Sequence, residues 1–306
     1  IEEFVGITPA GSIPDIMANM MGCVLADGRI LAAGGTNSLG NVSNLSYIGT
    51  IGEDKTVTWV TTNNIPVASV YGVILLLSDN RVLLTGGQVD GGTFLATTYI
   101  GTISGNTVTW VPSTALPVTK AMHISLLLPD NRVVVTSGTS TSTYFGTISG
   151  DVITWVSGTA ITTAKAGSAF SYFGGKIHSI AGSASGATYS GIVSGNTITW
   201  TAGPTALSTS FTLIFGANAK SRLMLGGDSS TTQVGGTLSM AKIIGDIVAL
   251  RSTIGHSSIG MSGNLCVTTA NGLVYVIGGP IRTQAGIVYG TTDCYRLILK
   301  YTFRKD

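Results

Sequence analysis

Charge is scarce in this sequence: of 306 residues only 16 are basic and 14 acidic, 10% together, against roughly 25% in an average soluble domain. That excludes a nucleic-acid binder working through a basic patch, and any tail of like charges. Long apolar runs are missing as well. The longest, Val73 to Leu77, falls far below the roughly 20 residues a spanning helix needs, so a soluble chain with no membrane insertion is expected. Cysteine is rare, and Cys23, Cys266 and Cys294 form no CxxC and cannot all pair; neither a disulfide framework nor a cysteine-rich metal centre is indicated. Helical periodicity appears nowhere. The first residue is Ile and no signal-peptide pattern follows it, so a processed or excised piece is expected. Glycine is plentiful instead, with 42 residues, and 44% of the chain is apolar, enough for many turns and a large core.

The glycines mark a repeat. Apolar runs ending in small residues recur as RILAAGG to Gly35, RVLLTGG to Gly87, RVVVTSG to Gly138, KIHSIAG to Gly182, RLMLGG to Gly227 and LVYVIGG to Gly279, spaced by 52, 51, 44, 45 and 52 residues. A fixed period of this size decides architecture before local propensity does. After each run comes a second element, in which Tyr47, Tyr99, Tyr144 and Tyr189 precede Trp59, Trp110, Trp155 and Trp200 by 12, 11, 11 and 11 residues. A glycine turn at Gly52, Gly105, Gly150 or Gly195 splits each into two short runs rich in Thr, Ile and Val, as a tight hairpin requires. A fifth, degenerate copy puts Ser239 in the tyrosine place and Leu250 in the tryptophan place. One more apolar run precedes each glycine pair, joined to it by Asp27-Gly28, Asp79-Asn80, Asp130-Asn131, Gly174-Gly175 or Asn271-Gly272. These residues tolerate positive φ and read as two-residue turns. A unit thus holds four antiparallel strands, a to d in chain order.

Six four-stranded units spell an all-β, six-bladed β-propeller of antiparallel blades, a single domain over 1–306 with blades near 17–59, 69–110, 121–155, 166–200, 210–250 and 258–303 plus 1–7. The glycine pair ending strand b, the tyrosine on strand c and the tryptophan on strand d resemble the kelch repeats of the propeller in the central domain of galactose oxidase. The resemblance covers nearly the whole chain and implies the fold. The departures are that only Lys120 and Lys165 supply the basic residue such units often carry before strand a, and that units three and four have Ser-Gly and Ala-Gly for the glycine pair. The last unit has strand c from Tyr295 but ends before a strand d, while EEFVG at the start has no strand c before it. Residues 1–7 are therefore expected to pair with residues 295–303 and close the ring, with Phe4 in the sixth tryptophan place.

Catalytic chemistry is hard to assemble. The tryptophan and tyrosine sets read as inter-blade packing. His123, His178 and His256 are dispersed over three blades, so no metal or cofactor is expected, and the two-histidine, two-tyrosine, one-cysteine set of the copper-radical oxidases is missing. Asp27, Asp79, Asp130, Glu53, Asp54, Asp151 and Asp246 sit where turns explain them. Asp15, Asp90, Asp228 and Asp293 remain, scattered over four connections, whereas glycoside hydrolysis needs two carboxylates across one bond. The SGNTVTW turn lacks the Asp and second Gly of the sialidase motif, and Arg29, Arg81 and Arg132 lie on a–b turns, away from the expected ligand face. Cys23 and Cys266 fall in first strands of adjacent units and read as small buried hydrophobes. A non-enzymatic protein is expected.

In a propeller the b–c and d–a connections share one face. The b–c loops 36–46, 88–98, 228–238 and 280–294 are 11, 11, 11 and 15 residues long, against 5 and 6 for 139–143 and 183–188. Loop variation on a rigid scaffold is where binding usually resides. The long loops present Asn37, Asn41, Asn44, Gln88, Asp90, Phe94, Asp228, Gln233, Arg282, Gln284 and Asp293, a neutral, amide-rich set suited to glycans or a wet protein contact. The Ser/Thr/Asn/Gly-rich, charge-poor style is also that of phage tail and bacterial surface proteins. A binding or structural propeller of a cell surface or virion is expected, recognising a cell-surface glycan or protein and open to homo-oligomeric assembly. The competing readings are a carbohydrate-active enzyme, built on Asp90, Asp228 and Asp293, and an intracellular kelch adaptor, which a partner-recruiting domain would accompany.

Overall fold

The structure, a computed structural model, describes residues 2–15, 17–163, 166–167, 169–180, 188–203, 217–218, 222–226, 236–244, 247–256, 265–278, 280–282, 288–290 and 292–301. It opens with β1 (Glu2–Ser12). Sheet one follows as β2 (Met21–Val24), β3 (Ile30–Ala33), β4 (Ser46–Ile51) and β5 (Val57–Thr61). Sheet two is β6 (Val73–Leu76), β7 (Val82–Thr85), β8 (Thr98–Ser104) and β9 (Thr107–Pro112). Sheet three is β10 (Ile124–Leu127), β11 (Val133–Thr136), β12 (Thr143–Ser149) and β13 (Val152–Gly158). Sheet four is β14 (Ala169–Phe173), β15 (Lys176–Ile180), β16 (Thr188–Ser194) and β17 (Thr197–Ala202). Sheet five is β18 (Ala217–Asn218), β19 (Arg222–Gly226), β20 (Gly236–Ile244) and β21 (Ile247–His256). The last part holds β22 (Leu265–Thr268), β23 (Val274–Ile277), the small pair β24 (Pro280–Arg282) and β25 (Val288–Gly290), and β26 (Asp293–Tyr301). Among the described residues the only helical element is a 3-10 turn at Asp90–Gly92.

The described strands assemble into six four-stranded antiparallel sheets. Five follow chain order. The sixth reads β1-β26-β23-β22, so the first strand of the chain completes the last sheet. First strands stand beside one another in the succession β2, β6, β10, β14, β18, β22, and β22 lies beside β2. At the periphery β1 touches both β5 and β21.

Between the sheets lie apolar slabs. Met21, Leu31 and Ile48 of sheet one meet Ile74, Val82 and Leu84 of sheet two. Leu83 and Ile100 meet Val135 and Ile153 across the next boundary, and Val134 and Phe145 meet Phe170 and Ile177 across the one after. Val57 and Trp59 pack with Leu265 and Tyr275 between sheets six and one. Burial on both faces explains why β3, β7, β11 and β23, every residue of which is buried, read as near-continuous apolar runs rather than alternating ones.

The repeat residues have individual reasons. Each strand-c glycine is the cross-strand partner of the tryptophan: Gly49 of Trp59, Gly101 of Trp110, Gly146 of Trp155 and Gly191 of Trp200. The indole lies over it, so a Cβ at Gly146 would come within 2.5 Å of the Trp155 ring. Trp59 is buried and the other three are half-buried, which fits the inter-sheet packing expected of them. At the end of strand b, a Cβ on Gly86 would lie 2.3 Å from the Lys120 carbonyl oxygen. The glycine pair is therefore a passage through which the connection to the next sheet runs.

Two expectations need correction. The Gly174-Gly175 connection of sheet four is the expected two-residue turn, with φ of 59° and 80° between the paired Phe173 and Lys176, but those of sheets one, two, three and six are not. Leu25 N–H bonds the Arg29 carbonyl at 2.7 Å and Gly28 N–H the Leu25 carbonyl at 3.0 Å, which makes a three-residue loop with positive φ only at its third residue, 88° at Gly28. Asn80 and Asn131 repeat this, at 67° and 65°. At the chain start, Glu2–Ser12 pairs with Asp293–Tyr301, further than expected, and Phe4 does not take the tryptophan place. Tyr295 pairs with Pro9 and Leu297 with Ile7, so Ile7 holds the position Trp59 holds opposite Gly49. A register shift between Phe4 and Gly6 leaves Phe4 opposite Leu299. The fifth sheet follows the repeat, with Leu250 opposite Ala241.

Candidate functional site

On the hairpin face three arginines clamp neighbouring sheets together. Arg29 holds Asp27 in its own turn and donates to the Gly105 carbonyl and Asn106 Oδ1 of sheet two, at 2.7 and 2.8 Å. Arg81 holds Asp79 and reaches Asp151 and the Gly150 carbonyl of sheet three. Arg132 holds Asp130 and reaches the Gly195 carbonyl and Asn196 of sheet four. Where sheet six has Leu273 in the arginine place, the Tyr275 hydroxyl donates to the Lys55 carbonyl of sheet one at 3.1 Å. Each clamp is a planar fork bridging two turns, a task for arginine rather than lysine. The same bonds hold the Asp27 and Asp130 carboxyls below their ordinary range, chiefly through the arginine side chains.

The opposite face carries the long loops. In sheet one, Thr36 pairs with both Ala18 and Val42; in sheet two, Gln88 pairs with both Val70 and Phe94. Each b–c loop is thus a small ladder that also ties down the chain entering its sheet. Asn37 Oδ1 accepts from the N–H groups of Leu39 and Asn41, and Asn44 accepts from Asn64 at 3.3 Å. Asp90 accepts from Val42 N–H at 3.1 Å, joining the loops of sheets one and two into one surface. Asn37, Asn41, Asn44, Gln88, Asp90 and Phe94 are therefore brought onto two adjoining loops. Leu39 there is 81% exposed and Phe94 37%. Asp293 begins β26 and accepts from the Tyr295 hydroxyl at 3.1 Å. Arg282 lies in β24, paired through its backbone with Val288. Asp228, Gln233 and Gln284 lie outside the described residues.

Between the first strands lies a cavity of about 340 Å³, bounded by the unpaired edges of β2, β6, β10, β14 and β22. Sequence reasoning did not mark it. Cys23 and Cys266 both line it but do not face each other. Cys23 packs with the slab between sheets one and two. Leu265 and Val267, which flank Cys266, pack between sheets six and one, so alternation turns Cys266 the other way. Burial pushes both thiols up to about 12, leaving them protonated and unreactive. His123 also lines the cavity; its Nε2 bonds Thr85 Oγ1 at 2.9 Å, and Thr85 bonds Ser125 Oγ at 2.9 Å. Burial, helped by Lys120, pushes His123 down to about 3. Lys120 is itself buried, donating to the Ser137 carbonyl and Ser140 Oγ at 3.0 Å each, and burial lowers it to about 8. Among the described residues no three His, Cys, Asp or Glu side chains converge as metal ligands.

No protein-family profile matches this sequence, and no curated protein does. The solved structure of YjhT superposes with a TM-score of 0.71, covering 95% of this chain and 99% of that one at 13% identity. The likeness is one of fold alone. YjhT has a propeller-like fold, and the four-stranded sheets described above accord with a β-propeller.

Proposed function

We propose that the chain is a kelch-type, six-bladed propeller closed by β1 beside β26, and that it serves as a non-catalytic recognition module of a cell surface or virion tail. Its ligand is a neutral glycan or a wet protein surface, met by the long-loop face through amide hydrogen bonds and shallow apolar contacts. One observation carries this reading: Asp90 joins the loops of sheets one and two into one surface whose amides stand beside exposed apolar side chains. Leu39 and Phe94 lie at that surface beside Asn41, while Arg29, Arg81 and Arg132 on the hairpin face are engaged in inter-sheet clamps. The carboxylates favour binding over hydrolysis. Asp15 accepts from the Tyr47 hydroxyl, Asp90 from a loop N–H and Asp293 from Tyr295, so each is engaged in holding the structure.

A glycan array probed with the whole chain tests the reading. Binding is expected to fall at least tenfold in Leu39→Ser/Phe94→Ser, on the scale of losing apolar anchors, and to persist in Arg81→Gln on the far face. Equal loss in both variants would place recognition elsewhere. Hydrolysis of an arrayed glycan that disappears in Asp90→Asn/Asp228→Asn/Asp293→Asn would replace the binding module with an enzyme.

A further inference from the structure

One backbone position recurs at the end of the cavity nearest the loops. Asn19, Tyr71, Met122 and Gly167 each stand two residues before the first strand of their sheet, and all four take left-handed backbone, with φ of 57°, 60°, 51° and 68°. The last three are linked around the opening. Met122 N–H donates to the Tyr71 carbonyl at 2.8 Å, and Gly167 N–H to the Met122 carbonyl at 3.1 Å. All four residues line the cavity. The backbone state is one that glycine adopts freely, as in sheet four, and one in which tyrosine or methionine is strained. Strained residues that persist where glycine would serve are often kept for their side chains. Here two strained residues, Tyr71 and Met122, stand with Asn19 at the mouth of one cavity.

The cavity has a definite chemistry. Among its described lining residues none is charged, so an ionised ligand would enter without a counter-charge. Valine, isoleucine and leucine side chains from β2, β6, β10 and β22 make the walls, and Met20, Met21 and Met122 bring thioethers, which pack well on aromatic rings. Hydrogen-bonding groups are few: the Asn19 amide, the Tyr71 hydroxyl, the Ser125 hydroxyl, which also bonds Thr85, the Thr268 hydroxyl, and the open peptide groups of the first strands. His123 also lines the cavity; it is 3% exposed, its Nε2 is committed to Thr85, and its Nδ1 is enclosed by protein with no hydrogen-bond partner. At about 340 Å³ the space falls at the small end of ligand pockets, roughly 300–1,000 Å³.

We propose that the collar of Asn19, Tyr71 and Met122, with the cavity beneath it, is a binding site for a small uncharged aromatic molecule bearing one hydroxyl or N–H group. This goes beyond recognition on the loop rim and does not depend on it. The ring lies among the aliphatic walls and methionines, and its polar group meets the collar.

Calorimetric titration of the whole chain with p-cresol and with indole tests the site, with benzoate as a charged control of similar size. Saturable 1:1 binding of p-cresol or indole is expected, at least tenfold tighter than benzoate. Tyr71→Gly and Met122→Gly are expected to weaken p-cresol binding at least tenfold without lowering Tm, because relief of the left-handed strain offsets the lost contacts. If Tyr71→Gly does lower Tm, Tyr71→Asn, which suits this backbone as Asn19 does, provides the folded comparison and must show the same loss of affinity. Absence of saturable binding, equal affinity for benzoate, or glycine variants that keep the affinity would overturn the proposal and leave the collar as packing around a water-filled space. Glycan-array binding is read separately, so either result stands without the other.

Discussion

Gly146 lies beneath the Trp155 ring and Gly150 sits in an open turn, and these two glycines separate steric from conformational demand. A methyl group at Gly146 meets the indole at 2.5 Å, whereas at Gly150, with φ of 58°, it meets nothing within 4 Å. Gly146→Ala is expected to lower unfolding free energy by about 2–3 kcal/mol through overpacking, and Gly150→Ala by only about 1 kcal/mol through backbone strain. Urea melts of both variants check the difference. His123 supplies a pH dependence. Its folded value, about 3, lies below the ordinary 6.5, so the unfolded chain takes up the proton first. Its stabilising share is complete above about pH 6.5 and is lost toward pH 3 at up to ~1.4 kcal/mol per pH unit. Urea midpoints between pH 4 and pH 7 should fall steeply in the parent and less steeply in His123→Gln. Lys120, lowered to about 8 from 10.5, acts in the same sense at the other end, so stability rises with pH across that window. The acid limb also includes Asp27 and Asp130, whose lowered carboxyls stabilise the fold above their ordinary value and lose that share as pH falls through the folded one.

At the scale of strands and turns, the clamps make the a–b turn of one sheet and the c–d turn of the next a single unit. Arg81, with its side chain 19% exposed, holds two carboxylates and a backbone carbonyl. Arg81→Gln is expected to lose about 1–2 kcal/mol, more than an exposed ion pair would. Arg81→Lys should recover less than half of that, because a point charge cannot bridge the three acceptors. Denaturation of the two variants at matched salt measures both. The strands themselves were legible in the sequence because glycine, tyrosine and tryptophan recur where the sheet geometry needs them. The turn register was less so: Asp27-Gly28 reads as a two-residue turn unless Ala26 is counted within the loop. Ile7 was hidden because an aliphatic residue stands where four other sheets have tryptophan, and because the nearby aromatic, Phe4, is the residue the repeat invites. The register shift between Phe4 and Gly6 takes Phe4 out of that place. The collar left no trace in periodicity either. Asn19, Tyr71 and Met122 share a φ rather than a side-chain class, so only coordinates bring them together.

For the whole molecule, the path of the chain places its first strand in its last sheet, and the propeller reading depends on that pairing. A variant lacking residues 1–12 leaves the edge of β26 unpaired and is expected to aggregate or to unfold at a lower midpoint, as size-exclusion profiles would show. Face asymmetry belongs to this scale as well. The sequence showed which loops are long, and hence which face to inspect. It could not show that Asn37 and Asp90 are occupied in shaping that face while Leu39 and Phe94 are left outward. The most direct measurement is a cross-link between register partners in β1 and β26. Thr8 and Arg296 are paired, at the roughly 4.5–5.5 Å Cα separation of antiparallel neighbours that a disulfide can span. In Thr8→Cys/Arg296→Cys, mild oxidation followed by peptide mapping is expected to give near-complete formation of that disulfide within single chains, with a raised midpoint of unfolding. No such link, or one formed only between chains, would contradict a propeller closed by its own first strand.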